Sequence, residues 1–122
     1  MTKKKIVVIL LNVFFESVND KVFEKKLEEI KEKNNTTGSV NYLLENLKMD
    51  EKLRLNKIFG LIDKETYEII TALKSARNKF AHDLSKYTHS ETEEILNSAR
   101  LEDAIELYEK MMRIPEEDSL LN

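Results

Sequence analysis

The sequence predicts an all-α protein: an antiparallel bundle of four to five helices forming a single domain over residues 1–122. Three observations carry that reading. One proline and two glycines leave few helix breakers in 122 residues. Charged residues make up 35% of the chain, and Lys and Glu, both good helix formers, dominate them. Apolar residues recur at three- and four-residue spacing, whereas a β-branched run of the kind a strand needs occurs only at Ile6–Ile9. The length suits one domain with one core. Without cysteine there is neither a disulfide framework nor a thiolate metal site.

The first helix is expected over about residues 4–32. Lys3-Lys4-Lys5 followed by Ile6 to Phe15 imitates a signal peptide, yet no small-x-small cleavage site follows, and the chain runs on into Glu16-Ser17-Val18-Asn19-Asp20. About ten apolar residues interrupted by Asn12 are too few to span a bilayer. A cytoplasmic protein without a membrane role is therefore expected. Val18, Val22, Phe23, Leu27 and Ile30 continue the helical spacing. The first half is hydrophobic nearly all round, which places it in the bundle core or partly in a subunit interface.

Asn34-Asn35-Thr36-Thr37-Gly38-Ser39 is the clearest loop, and its two Asn-x-Thr patterns read as turn residues. A second helix follows, with Val40, Leu43, Leu44 and Leu47 on one face. Asp50 reads as the N-cap of a third, which carries Leu53, Leu55, Ile58 and Phe59 and stops at Gly60. Lys48-Met49 is a weak break, so a merged second and third helix stays open as an alternative.

Asp63 caps the fourth helix. At 100° per residue, Ile69, Ile70, Leu73, Ala76, Phe80 and Leu84 share one apolar sector. Arg77 falls inside that sector next to Ala81, while Lys74, Asn78 and His82 share a different face. Tyr87-Thr88-His89 reads as a turn, and Ser90-x-x-Glu93 as a capping box opening the last helical region. Leu96, Ala99, Leu101, Ile105, Tyr108, Met111 and Met112 carry that region to Pro115, with a kink open near Ser98–Arg100. Residues 113–122 read as a frayed acidic tail.

A formal charge of −3 argues against a general polyanion binder, so any nucleic-acid contact needs a local patch. One is present: Lys74, Arg77, Lys79 and Lys86 stand against Asp83 alone. The plainer alternative is a solvated lysine face. Within six residues, Arg77, Asn78 and His82 offer a guanidinium that binds phosphate in bidentate fashion, a carboxamide that orients it, and an imidazole that moves a proton. RNA cleavage asks for that set and for no metal. No His, Cys, Asp and Glu residues group at ligand spacing, so neither metal nor cofactor is expected. The competing reading of Arg77 is a structural arginine bonded to a carboxylate or to helix C-terminal carbonyls.

Arg77-Asn78-x-Phe80-Ala81-His82 resembles the Arg-x4-6-His signature of the HEPN superfamily, which carries a polar residue directly after the arginine. With Lys57-Ile58-Phe59-Gly60-Leu61-Ile62 upstream, the chain looks like the mannitol operon repressor branch over about residues 40–90. The resemblance implies a small helical bundle that dimerises, bringing two motif copies to one cleft. It also implies a metal-independent endoribonuclease that cuts single-stranded RNA in a toxin–antitoxin or phage-defence setting. Arg77 would bind phosphate, Asn78 would be its polar neighbour, and His82 would be the acid/base. From the local basic patch and not from the resemblance, Lys74, Lys79 and Lys86 are expected to contact RNA. Partners would be a second copy, RNA, and a cognate antitoxin or regulatory protein. One departure is Leu84, where toxins paired with nucleotidyltransferase antitoxins carry a tyrosine. The alternative is a non-catalytic regulator or protein-interaction module with the same fold. A helix-turn-helix DNA binder fits poorly, because Lys64-Glu65 and Glu68 would open its recognition helix.

Overall fold

The computed structural model describes residues 3–35, 38–82 and 87–121, with side chains except at His82 and over 114–121. Asp83, Leu84 and Lys86 lie outside the described residues. The described residues are all-α, in six helices: α1 Lys3–Lys33, α2 Asn41–Asn46, α3 Met49–Ile58, α4 Lys64–His82, α5 His89–Ser98 and α6 Leu101–Leu121. None of these is long and apolar enough to cross a membrane. The chain divides into two compact units, residues 13–67 and residues 1–12 with 68–122.

Six helices replace the expected four to five, because two weak breaks are full ones. Leu47 and Lys48 are extended, with ψ of 137° and 160°, which separates α2 from α3. Between α5 and α6, the Ser98 hydroxyl donates to the Ile95 carbonyl at 2.8 Å, and Arg100 takes a left-handed φ of 54°. A non-glycine residue there costs about 1–2 kcal/mol. Burial of both Ala99 and Ala104, and the Arg100–Asp103 ion pair at 2.9 Å, offset that cost.

Helix ends follow side-chain caps, not always those expected. Asp63 Oδ1 accepts from the Thr66 amide at 2.7 Å, the cap anticipated for α4. The N-cap of α3 is Lys48 and not Asp50, and the Glu51 carboxylate reaches back to the Lys48 amide at 2.9 Å. α5 begins two residues before the expected Ser90 box. Thr88 and Glu91 form that box reciprocally, each bond 3.2 Å long. The earlier start buries Thr92, Ile95 and Leu96. α6 continues through Pro115, where the sequence placed its end. Proline there removes a donor and crowds the carbonyl four residues back, at a cost of about 3 kcal/mol, against which Glu116, Glu117, Leu120 and Leu121 favour continuing the helix.

In the unit of residues 13–67, Phe15, Phe23 and Leu53 form the apolar centre. Beside them lies a polar cluster. Asn56, fully buried, donates to the Asn19 carbonyl at 3.1 Å and to Asn19 Oδ1 at 2.6 Å. One turn away, Lys52 Nζ meets Asp20 Oδ1 at 2.6 Å and the Leu44 carbonyl at 3.2 Å, tying α1, α2 and α3 together. α2 itself buries no residue. In the other unit Val8, Ile69, Leu73, Phe80, Leu96 and Ala104 are among the core residues. Each large aliphatic or aromatic side chain so buried contributes about 1.5–3 kcal/mol.

Candidate functional site

α4 presents the motif. Its buried stripe is Ile69, Ile70, Leu73, Ala76 and Phe80, the i, i+3, i+4 pattern of a core-facing helix. Arg77 is half-buried and Ala81 exposed, so Arg77 stands at the edge of that stripe and not inside it. Lys74 and Asn78, also half-buried, continue the same flank. A guanidinium at such an edge keeps its stem against apolar neighbours and its head within reach of solvent.

Arg77 Nη1 donates to Asn78 Oδ1 at 3.2 Å. Among the described residues Arg77 makes no ion pair with a carboxylate. The carboxamide orients the guanidinium without cancelling its charge. Among the described residues this bond engages one of its five N–H donors, and a guanidinium can offer the others to an anion.

The backbone stays helical to His82. Arg77 and His82 are therefore about 140° apart in direction and about 7.5 Å apart in rise. The same step of five separates Lys74, half-buried, from Lys79, exposed, so those two lysines do not form one patch. Lys74 groups with Arg77, and Lys79 does not.

The structure adds a cation that the sequence reading passed over. Lys5 Nζ sits 5.5 Å from the centroid of the buried Phe80 ring, one turn along α4 from Arg77. The only sequence signal was the N-terminal lysine run, which read as an imitation signal peptide. His89, first residue of α5, is exposed. Among the described residues no three His, Cys, Asp or Glu side chains converge to hold a metal ion.

This site stands on its own geometry: no family model, curated protein or solved structure matches the chain.

Proposed function

We propose that the chain is a HEPN-type, metal-independent endoribonuclease that acts on single-stranded RNA at a cleft between two copies. The observation that supports this best is the half-buried Arg77, which donates to a neutral carboxamide and, among the described residues, pairs with no carboxylate. An oriented guanidinium suits the charge that builds on phosphorus during transfer. In the reaction the ribose 2′-oxygen attacks phosphorus, its proton passes to a base, and the 5′-oxygen leaves with a proton from an acid. His82 supplies a proton-transfer role, Arg77 binds the non-bridging oxygens, and Asn78 orients Arg77. The products are a 2′,3′-cyclic phosphate and a 5′-hydroxyl.

The test is cleavage of unstructured RNA in EDTA, with end-group analysis. Arg77→Ala and His82→Ala should each lower the rate by about 10²-fold or more while keeping the helical circular dichroism spectrum. Undiminished cleavage by His82→Ala, or no cleavage of any RNA, would sink the reading. The second reading, a non-catalytic regulator or interaction module, draws on the exposed Leu10 and Val13 of α1, which suit a protein partner.

A further inference from the structure

The unit of residues 1–12 and 68–122 holds a cavity of about 410 Å³ between the N-terminal turn of α1 and the junction of α5 with α6. That volume falls in the range of small-molecule sites, roughly 300–1,000 Å³. Its apolar lining is Val7, Leu96, Leu101 and Ile105. Leu96 is buried, Val7 and Leu101 are half-buried, and Ile105 is 37% exposed. All four are aliphatic, and among the described residues no aromatic ring lines the cavity. A flat ring has nothing there to stack on, whereas an alkyl chain has a floor.

Charge surrounds that floor. Lys3, Lys4 and Arg100 line the cavity, and so do Glu102 and Asp103. Three cations against two carboxylates leave one positive charge. Asp103 is engaged from within, because its Oδ2 accepts from Arg100 Nε at 2.9 Å. A guanidinium carries five donors in a planar fork, enough for more than one acceptor. Both lysines are exposed, so their long stems can swing an ammonium over the opening.

The backbone singles out the same arginine. Gly60 follows the last turn of α3 with a φ of 75°, and Arg100 follows that of α5 with a φ of 54°. Glycine takes this left-handed conformation readily, whereas a residue with a Cβ is strained in it. Pairing with Asp103 three residues on, at a part-open surface, stabilises little. The chain thus holds a strained residue where glycine would serve the turn, and that residue's guanidinium lines the cavity.

We propose that this cavity binds a small organic monoanion, a carboxylate on an aliphatic body. The body lies on Val7, Leu96, Leu101 and Ile105, and the head meets Arg100 and the two lysines. One excess positive charge matches a carboxylate, which a dianionic phosphate monoester would overshoot. The site goes beyond the nuclease reading and stands without it, since none of its residues is given a part in RNA cleavage.

Octanoate is the probe, titrated into the full chain with heat as the readout. One site with a Kd of about 100 µM is expected. Acetate lacks the body and octylamine carries the wrong charge, so each should bind at least about tenfold more weakly. Octyl phosphate should bind no more tightly than octanoate. Arg100→Gly leaves the backbone in a conformation glycine favours, and should weaken octanoate binding about tenfold. Lys4→Glu should do the same without loss of helicity, because a carboxylate suits the first turn of a helix. The proposal is overturned by no binding up to about 5 mM octanoate, by acetate or octylamine matching it, or by octyl phosphate exceeding it. A folded variant that binds octanoate as the unmodified chain does also overturns it. RNA cleavage enters none of these readouts, so failure here is separable from failure of the nuclease.

Discussion

Arg77 donates through Nη1 to the carboxamide oxygen of the very next residue, Asn78, at 3.2 Å. Neighbours on a helix point about 100° apart, so the contact folds the guanidinium round the helix toward Asn78 instead of straight outward. The neutral acceptor sets direction while the charge remains for an anion. Asn78→Asp should therefore be worse for RNA cleavage than Asn78→Ala. The carboxylate would pair with Arg77 and repel phosphate, whereas alanine only removes a guide. A further loss of about tenfold in kcat/KM is expected for the aspartate. Equal losses would show that Arg77 is not the phosphate ligand.

With α4 helical to His82, one chain does not readily bring Arg77 and His82 to the same phosphate. If each site takes its arginine and histidine from different copies, exchange of Arg77→Ala and His82→Ala subunits should restore activity. Half of the sites in mixed dimers hold both intact residues, and under random pairing about a quarter of all sites recover. A mixture that stays inactive although mixed dimers form would refute the shared-pair site.

The Asn19–Asn56 pair should matter more to stability than its exposure-blind composition suggests. Asn56→Ala removes two bonds at a fully buried position and leaves Asn19 Oδ1 without its Asn56 donor. A loss of about 2–4 kcal/mol in urea unfolding is expected. Lys52→Met should cost less than Lys52→Ala, because methionine keeps the buried stem and the half-exposed Asp20 can return to water. Both variants lose the ion pair, so the reverse order would mean that the buried stem contributes nothing through packing.

Gly60 ends α3 with φ of 75°. Its amide meets the Lys57 carbonyl at 3.0 Å, and the Leu61 amide meets the Asn56 carbonyl at 2.9 Å, the paired bonds of a Schellman ending. A Cβ at this position would meet nothing within 4 Å, so any penalty comes from the backbone alone. Gly60→Ala should cost about 1–2 kcal/mol, Gly60→Asn less and Gly60→Val more. Thermal unfolding of the three variants checks the order.

Local signals were the legible ones. Gly60 and Asp63 each act within a few residues of themselves, and both ended or began the helix the sequence assigned to them. Thr88-x-x-Glu91 and Ser90-x-x-Glu93 overlap as equally good capping boxes, and the choice between them depends on burying Thr92, Ile95 and Leu96, which spacing alone does not reveal. Long-range pairing was not legible. Asn19 and Asn56 look like interruptions in apolar patterns until α1 and α3 meet. The position of Arg77 on α4 followed from helical register, but its depth did not. Exposure of Ala81 moves it from the stripe to the stripe's edge. Lys5 reaches Phe80 only through tertiary structure.

α2 holds Tyr42 and Leu43 with 71% and 40% of their surface open and none of its residues buried. It has no buried residue of its own to lose on opening, so it should be the first stretch to yield to chymotrypsin and the first to exchange amide hydrogen for deuterium. Cleavage after Tyr42 need not scatter the pieces. Asn56 and Lys52 on α3 grip Asn19 and Asp20 on α1 across the cut. The nicked protein should run as two bands under denaturing conditions and as one species on a sizing column. By the same logic, residues 1–42 and 43–122 made as separate polypeptides should reassemble, turning the weakest helix into the natural seam of a split protein.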